Sequence, residues 1–115
     1  MKISEILDKA ADVIEHNGWH RGAFIEARPG VPPEQSPCCV FGAVAIAEGR
    51  DPEFAFANAA IDALAEHLGL AAQVETRKVP EEDHPVAVWN DGRESADEVV
   101  RALRDAAAAE REAGR

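Results

Sequence analysis

An all-α fold, one compact domain of about four helices around a buried central helix, follows from three features of the sequence. From Cys38 to Ala47 every residue is apolar or glycine, a run too short for a membrane span but suited to a helix buried on most of its circumference. Both ends of the chain repeat apolar residues at helical spacing. Finally, 115 residues with 46% hydrophobic and 30% charged suffice for a single core without disulfide staples, and the charge is too interspersed for a membrane segment. The whole chain, 1–115, is read as one helical domain.

The first helix is expected over residues 4–17. Ser4 is its candidate cap, Ile3, Ile6, Leu7, Ala10, Val13 and Ile14 share a face, and Asn17-Gly18 stops it. Residues 19–37 contain four prolines, which deny them a long helix or central strand; they are expected as an ordered surface loop anchored by Trp19 and Phe24. After the central helix, Asp51-Pro52 has the order of cap and first-turn proline, and a helix is expected over 52–68. Its faces would carry Phe54, Ala57, Ile61, Leu64 and Leu68, and secondarily Phe56, Ala59 and Ala63. Residues 70–85 have weak periodicity and are read as loop, with a short extended piece near 72–79.

Val86, Val88 and Trp89 read as a brief extended segment turned by Asp91-Gly92. Ser95 with Glu98 then has capping-box spacing, opening a last helix from Ala96 to about Ala109 whose core face is Ala96, Val99, Val100, Leu103, Ala106 and Ala107. Arg101, Arg104 and Asp105 are placed on its outer face, and residues 110–115 are expected to fray.

The net charge is −10. All four charged residues between 51 and 69, Asp51, Glu53, Asp62 and Glu66, are acidic, and a Glu81–Asp83 run follows. Such a field disfavours direct nucleic-acid binding, which draws its affinity from Lys and Arg on phosphate, and attracts a basic protein partner. The N-terminus lacks the uninterrupted apolar stretch of a secretory signal, and the only cysteines, Cys38 and Cys39, are neighbours for which a mutual bridge would be strained. A cytoplasmic protein with reduced thiols, and no membrane association, is the expectation.

Three blocks carry a resemblance: Gly18-Trp19 with Gly22-Ala23, Cys39 with Gly42-Ala43, and Val86-Ala87-Val88-Trp89-Asn90-Asp91. Together with the terminal helices, they resemble a domain-of-unknown-function family of small uncharacterised proteins from actinobacteria and their phages. The resemblance supports the fold and implies no catalytic residue.

Three functional classes compete. The leading one is a non-enzymatic interaction module whose acidic face, Asp51, Glu53, Asp62, Glu66 and the 81–83 run, meets a basic protein or a second copy of the chain. The second is a cysteine-dependent hydrolase or transferase. In it Cys39 or Cys38, at a helix start where the dipole lowers a thiol pKa, is activated by His84, with Asn90 or Asp91 orienting the imidazole; buried structural thiols are the simpler alternative. The third is a small-molecule binder lined by Trp19, Trp89, Asn90 and Asp91, against the plainer reading in which Trp89 covers the core and Asn90 or Asp91 bonds turn amides. His16 and His20 have the separation of helical zinc ligands, but Asn17-Gly18 lies between them, and neither a metal nor a cofactor is expected. Gly42 inside the buried helix reads as a site of close helix crossing or of ligand approach.

Overall fold

The two terminal amphipathic segments form α1 (Ile3–Asn17) and α6 (Ala96–Glu112) in a computed structural model that describes residues 1–76 and 83–115. Leu7, Ala10, Ala11 and Ile14 of α1 face Val99, Leu103, Ala106 and Ala107 of α6, and all eight are buried. The pair runs antiparallel, because Ser4 meets Arg115 while Arg104 meets Asp12 and Glu15. Between them lie α2 (Val40–Ala47), α3 (Ala59–His67), α4 (Ala71–Thr76) and α5 (Pro85–Asp91). The architecture is all-α, with no strand among the described residues. No helix there is long and apolar enough to cross a membrane. The Cα radius of gyration is 12.9 Å, close to the ~13 Å of a compact chain of about this length.

The greasy run is the central helix. Val40, Phe41, Val44 and Ala45 of α2 are all at most 1% exposed, and the two cysteines precede its first turn. Cys38 lies between two stretches of the 19–37 loop. His20 N–H donates to its carbonyl at 3.0 Å, its own N–H donates to Gly18 at 3.1 Å, and on the other side Glu26 N–H donates to Pro37 at 2.8 Å. These bonds satisfy the backbone that a buried helix entrance would otherwise orphan.

Several expectations are corrected. Ser4 is not a cap: Lys2 occupies that position, with its N–H on the Glu5 carboxylate at 3.0 Å. Ser4 is buried, and both its N–H and its hydroxyl donate to the Arg115 carbonyl at 3.1 Å. The tail therefore does not fray. Arg115 N–H closes onto the Glu110 carbonyl at 2.8 Å, and its guanidinium pairs with the Glu110 carboxylate at 2.6 Å. Arg104 does not face away; it reaches Asp12 at 2.6 Å, Glu15 at 2.8 Å and Asp8 at 3.4 Å across the α1/α6 seam. Its long stem lets a residue at the edge of the apolar stripe carry charge to a neighbouring helix.

The helix expected over 52–68 is split. Asp51 accepts Glu53 N–H at 2.9 Å and caps only a 3-10 turn, Pro52–Phe54. Ala55 is extended, and Asn58 then caps α3 through Ile61 N–H at 3.3 Å. Small residues, Pro52 and Ala55, take the core positions, so Phe54 and Phe56 are left 74% and 51% exposed. The segment read as extended near 72–79 begins as α4, with Leu70 and Val74 packed on the core one turn apart; its end, 77–79, lies outside the described residues, as do Glu81 and Glu82.

The segment Val86–Trp89 is likewise helical, not extended. Pro85 occupies the first helical position and His84 Nδ1 accepts Val86 N–H at 3.0 Å, which pre-sets the first turn. Burying Val86, Ala87 and Asn90 on one face leaves Val88 57% exposed. β-Branched composition here yields to the tertiary environment.

Candidate functional site

Asn90 is the junction from which the site is built. It is fully buried, and its amide makes four hydrogen bonds. Oδ1 accepts from Trp19 Nε1 at 2.9 Å and from Val40 N–H at 3.2 Å, while Nδ2 donates to the His20 carbonyl at 3.2 Å and to Asp91 Oδ1 at 3.1 Å. One side chain thereby ties α5 to the 19–37 loop and to an otherwise orphaned donor in the first turn of α2. Asp91 extends the network, its Oδ1 also accepting Gly22 N–H at 2.9 Å, where a φ of +90° suits glycine.

Beside this network is a cleft of about 220 Å³ lined by Gly22, Ala23, Phe24, Cys39, Ala87 and Asp91. Gly42 is what lets its wall close. A Cβ there would lie 2.2 Å from the Phe24 carbonyl oxygen and 3.0 Å from Cys38 Cβ, so the glycine accommodates the loop backbone, neither of the two roles expected for it. The Phe24 carbonyl in turn accepts Cys39 N–H at 3.1 Å.

The thiols are free and buried, and burial decides their chemistry. It pushes Cys38 up to about 12, with the neighbouring Cys39 adding to the rise. Cys39 is pushed up to about 11 by the same desolvation, although the N–H groups of Gly42 and Phe41 pull the other way. The helix-start donors expected to produce a thiolate are present, and loss of solvent outweighs them. His84 sits at the opposite end of α5 from Asn90, fully buried with its ring edge-on to Phe41 at 5.1 Å. Its Nδ1 accepts Val86 N–H, and the Asn90 amide that would orient an imidazole is committed to the four bonds above.

Trp19 and Trp89 do not line the cleft. Each indole is covered by a guanidinium, Arg21 over Trp19 and Arg93 over Trp89, both at 5.4 Å. Of the four residues expected to form one pocket, Trp19, Asn90 and Asp91 are linked by hydrogen bonds and Asp91 alone reaches the cavity. His16 and His20 fall on either side of the α1 terminus, and His20 Nδ1 faces Glu26 at 4.0 Å. Among the described residues no group of three or more His, Cys, Asp or Glu could hold a metal ion.

Asp62 and Glu66 are one turn apart on α3, on the exposed side. With Glu75 of α4 they border a groove of about 230 Å³ floored by Ala65, Ala71 and Val74. Among the described residues no ion pair reaches any of these three carboxylates; Arg28, Arg50, Arg104 and Arg111 are engaged with acids elsewhere, and Arg115, paired with Glu110, is near enough to Glu66 for the two charges to attract.

The model of a family of unknown function, DUF6197, matches residues 1–109. The chain belongs to DUF6197. The match runs from α1 through most of α6 and contains the whole cleft, the Asn90 network and the acidic groove. No curated protein and no solved structure matches the chain. In this DUF6197 chain, sequence reasoning missed Ala23, Phe24, Ala87 and Glu75. The first three are apolar residues with no chemical signature of their own; Glu75 was hidden because α4 was read as extended, and an Ala-rich start after Gly69 was the available signal.

Proposed function

We propose that the protein is a non-enzymatic binding module that takes a basic segment of a protein partner in the α3–α4 groove. The carrying observation is the set Asp62, Glu66 and Glu75 around the apolar floor of Ala65, Ala71 and Val74 in a chain of net charge −10; among the described residues none of the three is in an ion pair, and Arg115, whose charge reaches Glu66, is paired with Glu110. A lysine or arginine side chain suits such a site, laying its methylenes on the floor while its head meets the carboxylates. A second copy of the chain suits it poorly, because this face would oppose its own charge, and nucleic-acid phosphate is repelled for the same reason. The cysteine-hydrolase alternative finds little support: two protonated thiols, a His84 nitrogen held by backbone and an Asn90 amide fully spent on the fold. Phe54 and Phe56, just after Asp51 and Glu53, are also exposed, the Phe56 ring lying under the Arg50 guanidinium at 4.4 Å.

The test is fluorescence anisotropy with a labelled lysine-rich amphipathic helical peptide. The triple variant Asp62→Asn, Glu66→Gln, Glu75→Gln should lose most of the binding. A control of equal charge change, Glu5→Gln, Asp97→Asn, Glu112→Gln, should lose little. Equal loss in both would show a diffuse response to net charge and remove the groove from consideration. Binding in the intact chain should also collapse in about 1 M salt, where the screening length falls to about 3 Å.

A further inference from the structure

The cleft beside Asn90 has the construction of a small-ligand site on a face distinct from the acidic groove. Its walls come from three distant parts of the chain, the 19–37 loop, the start of α2 and α5, and each is fixed by hydrogen bonds independent of any occupant. Gly22 is held by Asp91, the Phe24 carbonyl by Cys39 N–H, and α5 by the four bonds of Asn90. A rigid concavity of this kind avoids much of the ordering penalty of binding.

Its chemistry is one-sided. Ala23, Phe24, Ala87 and the neutral Cys39 sulfur present apolar, polarisable surface, and Asp91 is the one carboxylic side chain of the lining. Among the described residues the two hydrogen bonds that Asp91 accepts both end on Oδ1, which leaves the acceptor capacity of Oδ2 for a ligand. The neighbouring guanidiniums of Arg21 and Arg93 lie on the faces of Trp19 and Trp89, and among the described residues neither pairs with Asp91. The carboxylate is close enough to Cys39 for its charge to contribute to holding that thiol protonated. At about 220 Å³, the volume exceeds the roughly 150 Å³ that admits benzene and falls below the roughly 300 Å³ of drug-sized pockets.

We infer that this cleft binds a small cationic amine carrying one apolar ring, the ring against Ala23, Phe24, Ala87 and Cys39 and the ammonium on Asp91. Ring size sets the upper limit of the ligand, and the lone carboxylate sets its charge. Sulfur at the ring edge adds a contact that an all-carbon wall would lack.

Benzylamine, benzyl alcohol and methylamine separate the two components on the intact chain, read by 1H–15N amide shifts. Benzylamine should move the Gly22, Ala23, Ala87 and Asp91 amides and bind about 1.4-fold to fivefold more tightly than benzyl alcohol, the range open to an exposed ion pair. Methylamine, with the charge but no ring, should leave the cleft amides in place. Asp91→Asn keeps the Oδ1 acceptor for Gly22 and should bring benzylamine down to the level of benzyl alcohol; Ala87→Leu fills the cavity and should abolish both. Benzylamine shifts that map outside the cleft, equal affinity of the amine and the alcohol for the unaltered chain, or equal shifts from methylamine would each overturn the assignment. The comparison of the three ligands needs no variant, so it stands even if a substitution unfolds the protein.

Discussion

Replacing Asn90 by alanine tests the organisation of the molecule most directly. The substitution strips the acceptor from Trp19 Nε1 and from Val40 N–H, and the donor from the His20 carbonyl. Val40 is fully buried, so its N–H keeps no route to water, and an orphaned buried donor costs about 1–3 kcal/mol. Trp19 and His20 are only partly buried, and each loses about 0.5–1.5 kcal/mol net once water replaces the amide. The Asp91 bond counts little, because that carboxylate is exposed. With the small void left by the amide, the expected loss is about 3–5 kcal/mol, which lowers the melting temperature by on the order of 10–20 °C for a chain of this size. Urea unfolding followed by circular dichroism and by tryptophan fluorescence gives the free energy, and a thermal melt gives the shift in melting temperature. Trp19→Phe should cost less in the Asn90→Ala background than in the unaltered chain, since the two share a bond. A loss below about 1 kcal/mol, or strict additivity of the pair, would refute the assignment of Asn90 as the junction.

Two further outcomes follow from the same region. Gly42→Ala gains helix propensity of about 1 kcal/mol but drives a methyl against the Phe24 carbonyl, and overpacking of this kind costs roughly 1–3 kcal/mol; denaturation should therefore show net destabilisation together with shifted Gly22–Phe24 amides, and a more stable protein would mean that the loop yields freely. Cys38 and Cys39 should resist iodoacetamide at neutral pH until the chain unfolds. Because both pKa values are raised in the folded state, stability should be intact below pH 9, the ordinary thiol value here, and fall as pH rises through about 11; prompt alkylation of native protein near pH 7 would contradict the burial argument.

The elements read correctly from sequence are those whose burial pattern is self-evident. In α1 and α6 the apolar stripe recurs over four turns, and in the run from Cys38 to Ala47 there is no polar face to misplace. Short elements were read less well. α4 and α5 each span two turns or fewer, too short for periodicity to outvote β-branched composition, and the Pro85 start with a His84 cap is a cue outside the usual capping residues. The Asp51-Pro52 cap was real, but a second cap at Asn58 made it the start of a separate turn.

For the site, residue type pointed to Asn90, Asp91 and Cys39 without stating their roles. The sequence offered both a thiolate at a helix start and buried structural thiols; whether solvent or helix donors control that thiol depends on which neighbours bury it, and those come from residues 18–26 and from α5. It paired Trp19 with Trp89 as pocket walls, whereas one indole nitrogen serves Asn90 and both ring faces are covered by arginines.

What the chain by itself determined was local: amphipathic periodicity, the greasy central helix, the acid excess and the Ser95–Glu98 helix start. Those properties depend on residues within a few turns of one another. Only the tertiary structure decided the rest, because the cleft, the four bonds of Asn90, the room at Gly42 for the Phe24 carbonyl and the pinning of Arg115 to Ser4 all join positions far apart in sequence. Their partners are set by three-dimensional packing, which periodicity and propensity do not encode.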